Sequence, residues 1–104
     1  MIIELRTYTF KPGLLPAFMA LYEAEGVEVQ KRVLGNMLGY YTTEIGMLNQ
    51  VVHLWGYDSF EDRARRRAEL SADAGWQGYL AKAMPMMETQ ESKLLLPTKF
   101  SPVA

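Results

Sequence analysis

Two segments of the chain, Ile2–Phe10 and Gln50–Tyr57, alternate so that successive side chains fall on two chemically different faces. A period of two is that of an extended strand. In the first segment Ile3 and Leu5 oppose Glu4, Arg6 and Tyr8; in the second Val52 and Leu54 oppose His53, Trp55 and Tyr57. One face is apolar, the other aromatic and ionisable. A sheet built from such strands needs apolar cover on one side. Its other side can line a cavity, where a buried arginine and histidine demand partners.

The rest of the chain supplies the cover. Lys11-Pro12-Gly13 is a turn signal, and residues 14–34 read as a helix with Pro16 in its first turn and an apolar stripe of Phe18, Leu21 and Tyr22. Gly26 weakens the middle of that helix by roughly 1 kcal/mol relative to alanine, so a bend or a close contact is expected there. Gly35-Asn36 stops it. Residues 37–45, with Tyr40, Tyr41, Thr42 and Thr43, read as a strand that a turn at residues 46–49 joins to Gln50–Tyr57 as a hairpin. Ser59 and Asp62 resemble a capping box opening a helix over residues 60–71. Asp73 caps a shorter helix in which Trp76, Tyr79, Leu80 and Ala83 recur at helical spacing until Pro85. Residues 86–96 form the last strand candidate, followed by a tail marked by Pro97 and Pro102. The order strand, helix, strand, strand, helices, strand is the split βαββαβ arrangement of an antiparallel ferredoxin-like α+β domain spanning residues 1–104. Helices cover one face of such a sheet, so a homodimer that buries the other face is expected.

Several function classes are excluded on inventory. A formal net charge of -1 gives no general attraction for nucleic acid or anionic lipid. With no cysteine and one histidine, disulfides, iron–sulfur clusters, thiolate nucleophiles and a dedicated metal site are not expected. Neither a glycine-rich phosphate loop nor a serine nucleophile elbow is present, and no cofactor is implied. The first residues form a strand pattern instead of a targeting segment, and no apolar run approaches the ~20 residues of a membrane span, so a cytoplasmic location is the expectation.

The segments Ile3-Glu4-Leu5-Arg6-Thr7-Tyr8, Lys11-Pro12-Gly13 and Leu48-Asn49-Gln50-Val51-Val52-His53-Leu54-Trp55 resemble the recurring segments of NIPSNAP-family proteins. The likeness extends over nearly the whole chain. It implies a dimeric α+β barrel related to antibiotic-biosynthesis-type monooxygenases and haem-degrading enzymes. In those barrels the ligand cavity lies between helices and sheet, while the opposite sheet faces meet across the dimer. Carried over, this puts Arg6, Tyr8, His53, Trp55 and Tyr57 around a cavity and Ile3, Leu5, Val52 and Leu54 in the dimer core. The alternation by itself permits the reverse, with the polar residues inside the dimer barrel.

Arg6 is the first candidate, because a guanidinium flanked by aromatics can grip a carboxylate or enolate through two parallel hydrogen bonds. A structural ion pair with Glu4, or with Glu44 from the second strand, is the competing reading. His53 can transfer protons near neutral pH or serve as hydrogen-bonded cavity lining. Tyr8, Tyr40, Trp55 and Tyr57 can stack on a planar apolar ligand or simply pack. Met84, Met86 and Met87 gather at the helix-to-strand corner. Arg63, Arg65, Arg66 and Arg67, with Glu61, Asp62 and Glu69 around them, read as a solvated helix face. Two function classes follow: a small-molecule site in each subunit, with or without cofactor-independent monooxygenase-like or isomerase-like turnover, and a dimeric interaction module whose polar face is structural.

Overall fold

A computed structural model describes residues 1–103. Four strands and a layer of helices follow in the order β1 (Ile2–Phe10), α1 (Leu15–Leu21), a π-helical turn (Tyr22–Gly26), α2 (Val27–Leu34), β2 (Asn36–Thr42), β3 (Gln50–Tyr57), α3 (Phe60–Ala72), α4 (Ala74–Ala83), a 3-10 turn and β4 (Met87–Leu95). The strands form one antiparallel sheet in the order β2-β3-β1-β4, the ferredoxin-like arrangement that the element order predicts.

Local chemistry sets the boundaries. Ser59 Oγ accepts the Asp62 backbone N–H at 3.0 Å, and Asp73 Oδ1 accepts that of Trp76 at 2.9 Å, so both expected caps open their helices. Gly35, at φ 88°, closes α2. The helix expected over residues 14–34 is interrupted rather than uniform. A Cβ on Gly26 would lie 2.8 Å from a Tyr22 ring carbon and 2.9 Å from Tyr79 of α4, so the backbone comes too close to α4 for any side chain. That contact falls on the last residue of the π turn, which the Val27 N–H closes by reaching the Tyr22 carbonyl. β2 ends at Thr42, short of the expected residue 45, because Gly46 and Asn49 take positive φ and the loop turns away early. Glu44 is exposed in that loop and does not meet Arg6.

The ionisable and aromatic face of the sheet meets the helices. Ile2, Glu4, Tyr8 and Phe10 of β1 and Val51, His53, Trp55 and Tyr57 of β3 are buried beneath the helices, together with Phe18, Tyr22, Val33, Leu34, Leu70, Trp76 and Tyr79. Ile3, Leu5, Val52 and Leu54 have the opposite parity and point to the helix-free side, where all but Ile3 are half-buried. β4 is an edge strand whose residues after Met87 are exposed.

Candidate functional site

Pairing of β1 with β3 places Arg6 opposite His53 and Glu4 opposite Trp55, so the ionisable and aromatic residues of both strands form one layer under the helices. Tyr40 joins the layer through an irregularity in β2. Met37 is opposite Trp55 and Tyr40 is opposite His53, and between them β2 has one residue more than β3, Leu38. This bulge reverses the parity of the strand, so Met37 and Tyr40 both face the helices.

The result is a column of rings. Tyr22 stacks on Tyr40 at 4.8 Å between centroids, Tyr40 stacks on His53 at 4.5 Å, and the edge of His53 meets Tyr8 at 4.8 Å. Arg6 Nε donates to Tyr8 Oη at 2.7 Å, its guanidinium 5.4 Å from the ring centroid. Tyr22 is pinned by its own hydroxyl, which donates to the buried Gln30 Oε1 at 2.6 Å.

At the far end of the column Glu4, wholly buried, gathers four donors. Arg6 Nη1 donates at 2.9 Å, Ser92 Oγ from β4 at 2.6 Å, and Arg63 from α3 in bidentate fashion at 3.2 and 2.8 Å. Burial alone would push the Glu4 carboxyl up. The hydrogen bonds of Arg63 and Ser92 and the charges of Arg6 and Arg63 outweigh it and hold the carboxyl at about 2. Two guanidiniums and the Ser92 hydroxyl on one carboxylate tie β1, α3 and β4 together. The arginines of α3 are therefore not all solvated, as their neighbours in sequence suggest. Arg65 is exposed and pairs with Asp62, but Arg63 reaches Glu4 and Arg66 Nη1 donates to the Val33 carbonyl at 3.1 Å.

His53 is fully buried, and its Nδ1 accepts the Trp55 indole N–H at 2.7 Å. That bond assigns the imidazole proton to Nε2. Burial, and then the charge of Arg6, depress the imidazole to about 3, so it is neutral at physiological pH. A neutral ring with its basic nitrogen engaged is a hydrogen-bond donor, not a proton acceptor.

Beside Tyr40 the helix–sheet interface opens into a cavity of about 300 Å³, mostly apolar, lined by Met19, Tyr22, Glu23, Val27, Lys31, Met37 and Tyr40. Of the residues singled out from the sequence, Tyr40 lines this cavity. Arg6, Tyr8, His53, Trp55 and Tyr57 lie behind it in the same layer, Arg6 bonded to Tyr8 and Trp55 to His53. Met19, Lys31 and Met37 carry no sequence signal beyond helical or strand spacing, and their convergence depends on the β2 bulge. A polar surface depression of about 400 Å³, at the start of α3, is lined by Asp58, Ser59, Glu61, Asp62 and Arg65. Among the described residues no three His, Asp or Glu side chains are grouped to hold a metal ion, and no helix is long and apolar enough to cross a membrane.

This fold, a four-stranded antiparallel sheet under one layer of helices, is shared by the small α+β domains of antibiotic biosynthesis monooxygenases. A Nitrosomonas europaea protein assigned to that group superposes with a TM-score of 0.70 over 93% of this chain and 98% of its own, at 13% identity, a likeness of fold alone. Within that class the NIPSNAP family model matches residues 3–102, and the chain belongs to the NIPSNAP family. The crystal structure of protein Atu4242 from Agrobacterium tumefaciens is 44% identical, with a TM-score of 0.97 and full coverage of both chains. A Dictyostelium discoideum NipSnap homolog is 38% identical over 92% of this chain. That match takes in 42% of the Dictyostelium protein, and the chain spans less than half the length of the curated relatives it matches.

Proposed function

We propose that this NIPSNAP domain binds a small, planar, largely apolar anion in the cavity beside Tyr40, one per subunit of a homodimer. The observation that carries the reading is the cavity itself. A space of about 300 Å³ walled by Met19, Val27 and Met37 and faced by the Tyr22–Tyr40 stack suits an aromatic or conjugated body. Lys31 on its lining supplies a positive charge that an acid group would seek, with Glu23 on the same lining as its counter-charge. Tyr40 cannot itself ionise near neutral pH, because burial and then the neighbouring tyrosines push its hydroxyl far up, so it acts as a neutral surface.

Binding is favoured over turnover. Cofactor-independent oxygenase-like or isomerase-like chemistry needs a base near the substrate, and His53 is neutral, engaged at Nδ1 and screened from the cavity by the Tyr40 ring. Arg6, committed to Glu4 and Tyr8, supports the layer from behind. The second reading, a structural polar layer in a dimeric interaction module, has the saturated Glu4 cluster in its favour.

Benzoate separates the two readings. With the native protein it is expected to raise the melting temperature saturably. Met37→Trp, which fills the cavity, is expected to abolish that rise. Arg6→Ala, which leaves Glu4 without one of its two guanidiniums, is expected to lower stability by about 3 kcal/mol and to spare benzoate binding. Absence of saturable stabilisation by benzoate, or its persistence in Met37→Trp, would overturn the cavity reading.

A further inference from the structure

The helical wall of the Tyr40 cavity carries two opposite charges that no other side chain answers. Met19, Glu23, Val27 and Lys31 follow one another at four-residue intervals, and all four line the cavity. In an uninterrupted α-helix such a series drifts about 40° round the axis at each step, which would carry Lys31 about 120° away from Met19. The π turn over Tyr22–Gly26 takes up one residue and returns Lys31 to within about 20°. A glutamate and a lysine therefore stand in line on one wall, with Val27 midway, about 6 Å along the axis from each.

Among the described residues neither Glu23 nor Lys31 takes part in an ion pair. Their neighbours in sequence are already matched. Lys82 takes Glu25 at 2.9 Å, and Arg32 takes Asp73 at 3.4 Å. Both free charges are exposed, at the mouth of the cavity, while Met19, Met37 and the Tyr22–Tyr40 stack lie deeper. A carboxylate alone would meet attraction from Lys31 and repulsion from Glu23, and an ammonium alone the reverse. A molecule with both groups on one carbon, next to an aromatic ring, meets attraction from both.

From this arrangement we infer that the ligand of the cavity is an aromatic zwitterion of the α-amino-acid type, its carboxylate held by Lys31, its ammonium by Glu23 and its ring laid on Tyr40. The inference rests on the cavity reading above and narrows the anion of that reading to one that also carries an amine. Both side chains have long flexible stems that reach the point above Val27. The charged groups stay at the mouth in contact with water, so little desolvation opposes binding, and the cavity of about 300 Å³ has to admit the ring.

Three compounds that share one ring and one chain length test this: phenylalanine, 3-phenylpropionate, which lacks the amine, and 2-phenylethylamine, which lacks the acid. Calorimetric titration of the full chain at low ionic strength is expected to give phenylalanine an affinity about fivefold above either of the others, the worth of one partly screened ion pair. Glu23→Gln is expected to take away that advantage while tightening 3-phenylpropionate, because a repelling charge is gone. Lys31→Gln is expected to weaken both acids and to tighten 2-phenylethylamine. Both residues are exposed, so neither variant puts the fold at risk. Phenylalanine bound no more tightly than 3-phenylpropionate, or bound equally by Glu23→Gln, would overturn the zwitterion and leave the cavity reading standing. Binding of none of the three would overturn both.

Discussion

At the scale of single residues, the polar face of this sheet is buried because each charge on it is answered by another. A carboxylate as deeply placed as Glu4 would protonate in isolation, yet Arg6, Arg63 and Ser92 keep it ionised. His53 takes the other course and gives up its charge. Its folded value of about 3 lies below the ordinary 6.5, so between these values the unfolded chain binds a proton that the folded chain does not. Stability from this group is therefore complete above pH 6.5 and is lost as pH falls, by up to about 1.4 kcal/mol per pH unit. Glu4, held at about 2 against an ordinary 4.5, adds its own loss only below pH 4.5. The window from 6.5 down to 4.5 thus separates His53 from Glu4. Urea midpoints at pH 7.5, 6.5 and 5.5 are expected to fall across that window in the native protein. In His53→Gln, whose amide can still accept the Trp55 N–H, that fall should largely vanish. A native protein equally stable at pH 7.5 and 5.5 would contradict the buried, neutral imidazole.

At the scale of elements, two backbone irregularities shape the site: the π turn between α1 and α2 and the bulge in β2. The π turn ends at Gly26, whose backbone lies against Tyr22 and Tyr79. In an open helix Gly26→Ala would gain about 1 kcal/mol from propensity. Here the new methyl would meet two buried rings at 2.8 and 2.9 Å, one of them tethered to Gln30, so neither can yield cheaply. Overpacking of about 1–3 kcal/mol should win, and Gly26→Ala is expected to melt several degrees below the native protein in calorimetry. A variant as stable as the native one would mean that the turn closes without strain. Much of this level was legible in the sequence. The strand alternation, the Ser59 and Asp73 caps and the Gly35 stop are local signals, and each marks its element to within a few residues. Gly26 likewise marked a close contact. The bulge at Leu38 was not legible, since an extra residue in a strand carries no distinctive side chain; Gly39 beside it is the only hint. Without the bulge, spacing alone cannot bring Tyr40 and Met37 to the same face. The Arg63–Glu4 pairing was equally hidden, because it joins residues 59 apart and helical spacing on α3 does not say what the helix lies against.

At the scale of the whole molecule, the domain is a slab 40 × 35 × 19 Å, thick enough for one sheet and one layer of helices. With the charged and aromatic residues sealed under the helices, the apolar set of the central strands is left on the helix-free side. Leu5 and Leu54 are direct cross-strand partners there, with Val52 two residues away, and Tyr41 is 56% exposed opposite Val52. A sheet face of this composition is what a second copy can cover, and the proposed homodimer follows from burying it at roughly 25 cal/mol per Å² of apolar area. Lys93 and Glu91 of β4 pair with Leu5 and Thr7 across the sheet and form a charged border to that patch, which would disfavour open-ended stacking along the β4 edge. Leu54→Glu tests the idea at its centre. The side chain is only half-buried in the single chain, so the domain is expected to keep its fold and circular dichroism while two carboxylates, one per copy, repel across the interface. Sedimentation at micromolar concentration should then read twice 11.9 kDa for the native protein and 11.9 kDa for the variant. A native protein that sediments at the smaller mass, or a variant that stays at the larger one, would place the subunit contact somewhere other than this face of the sheet.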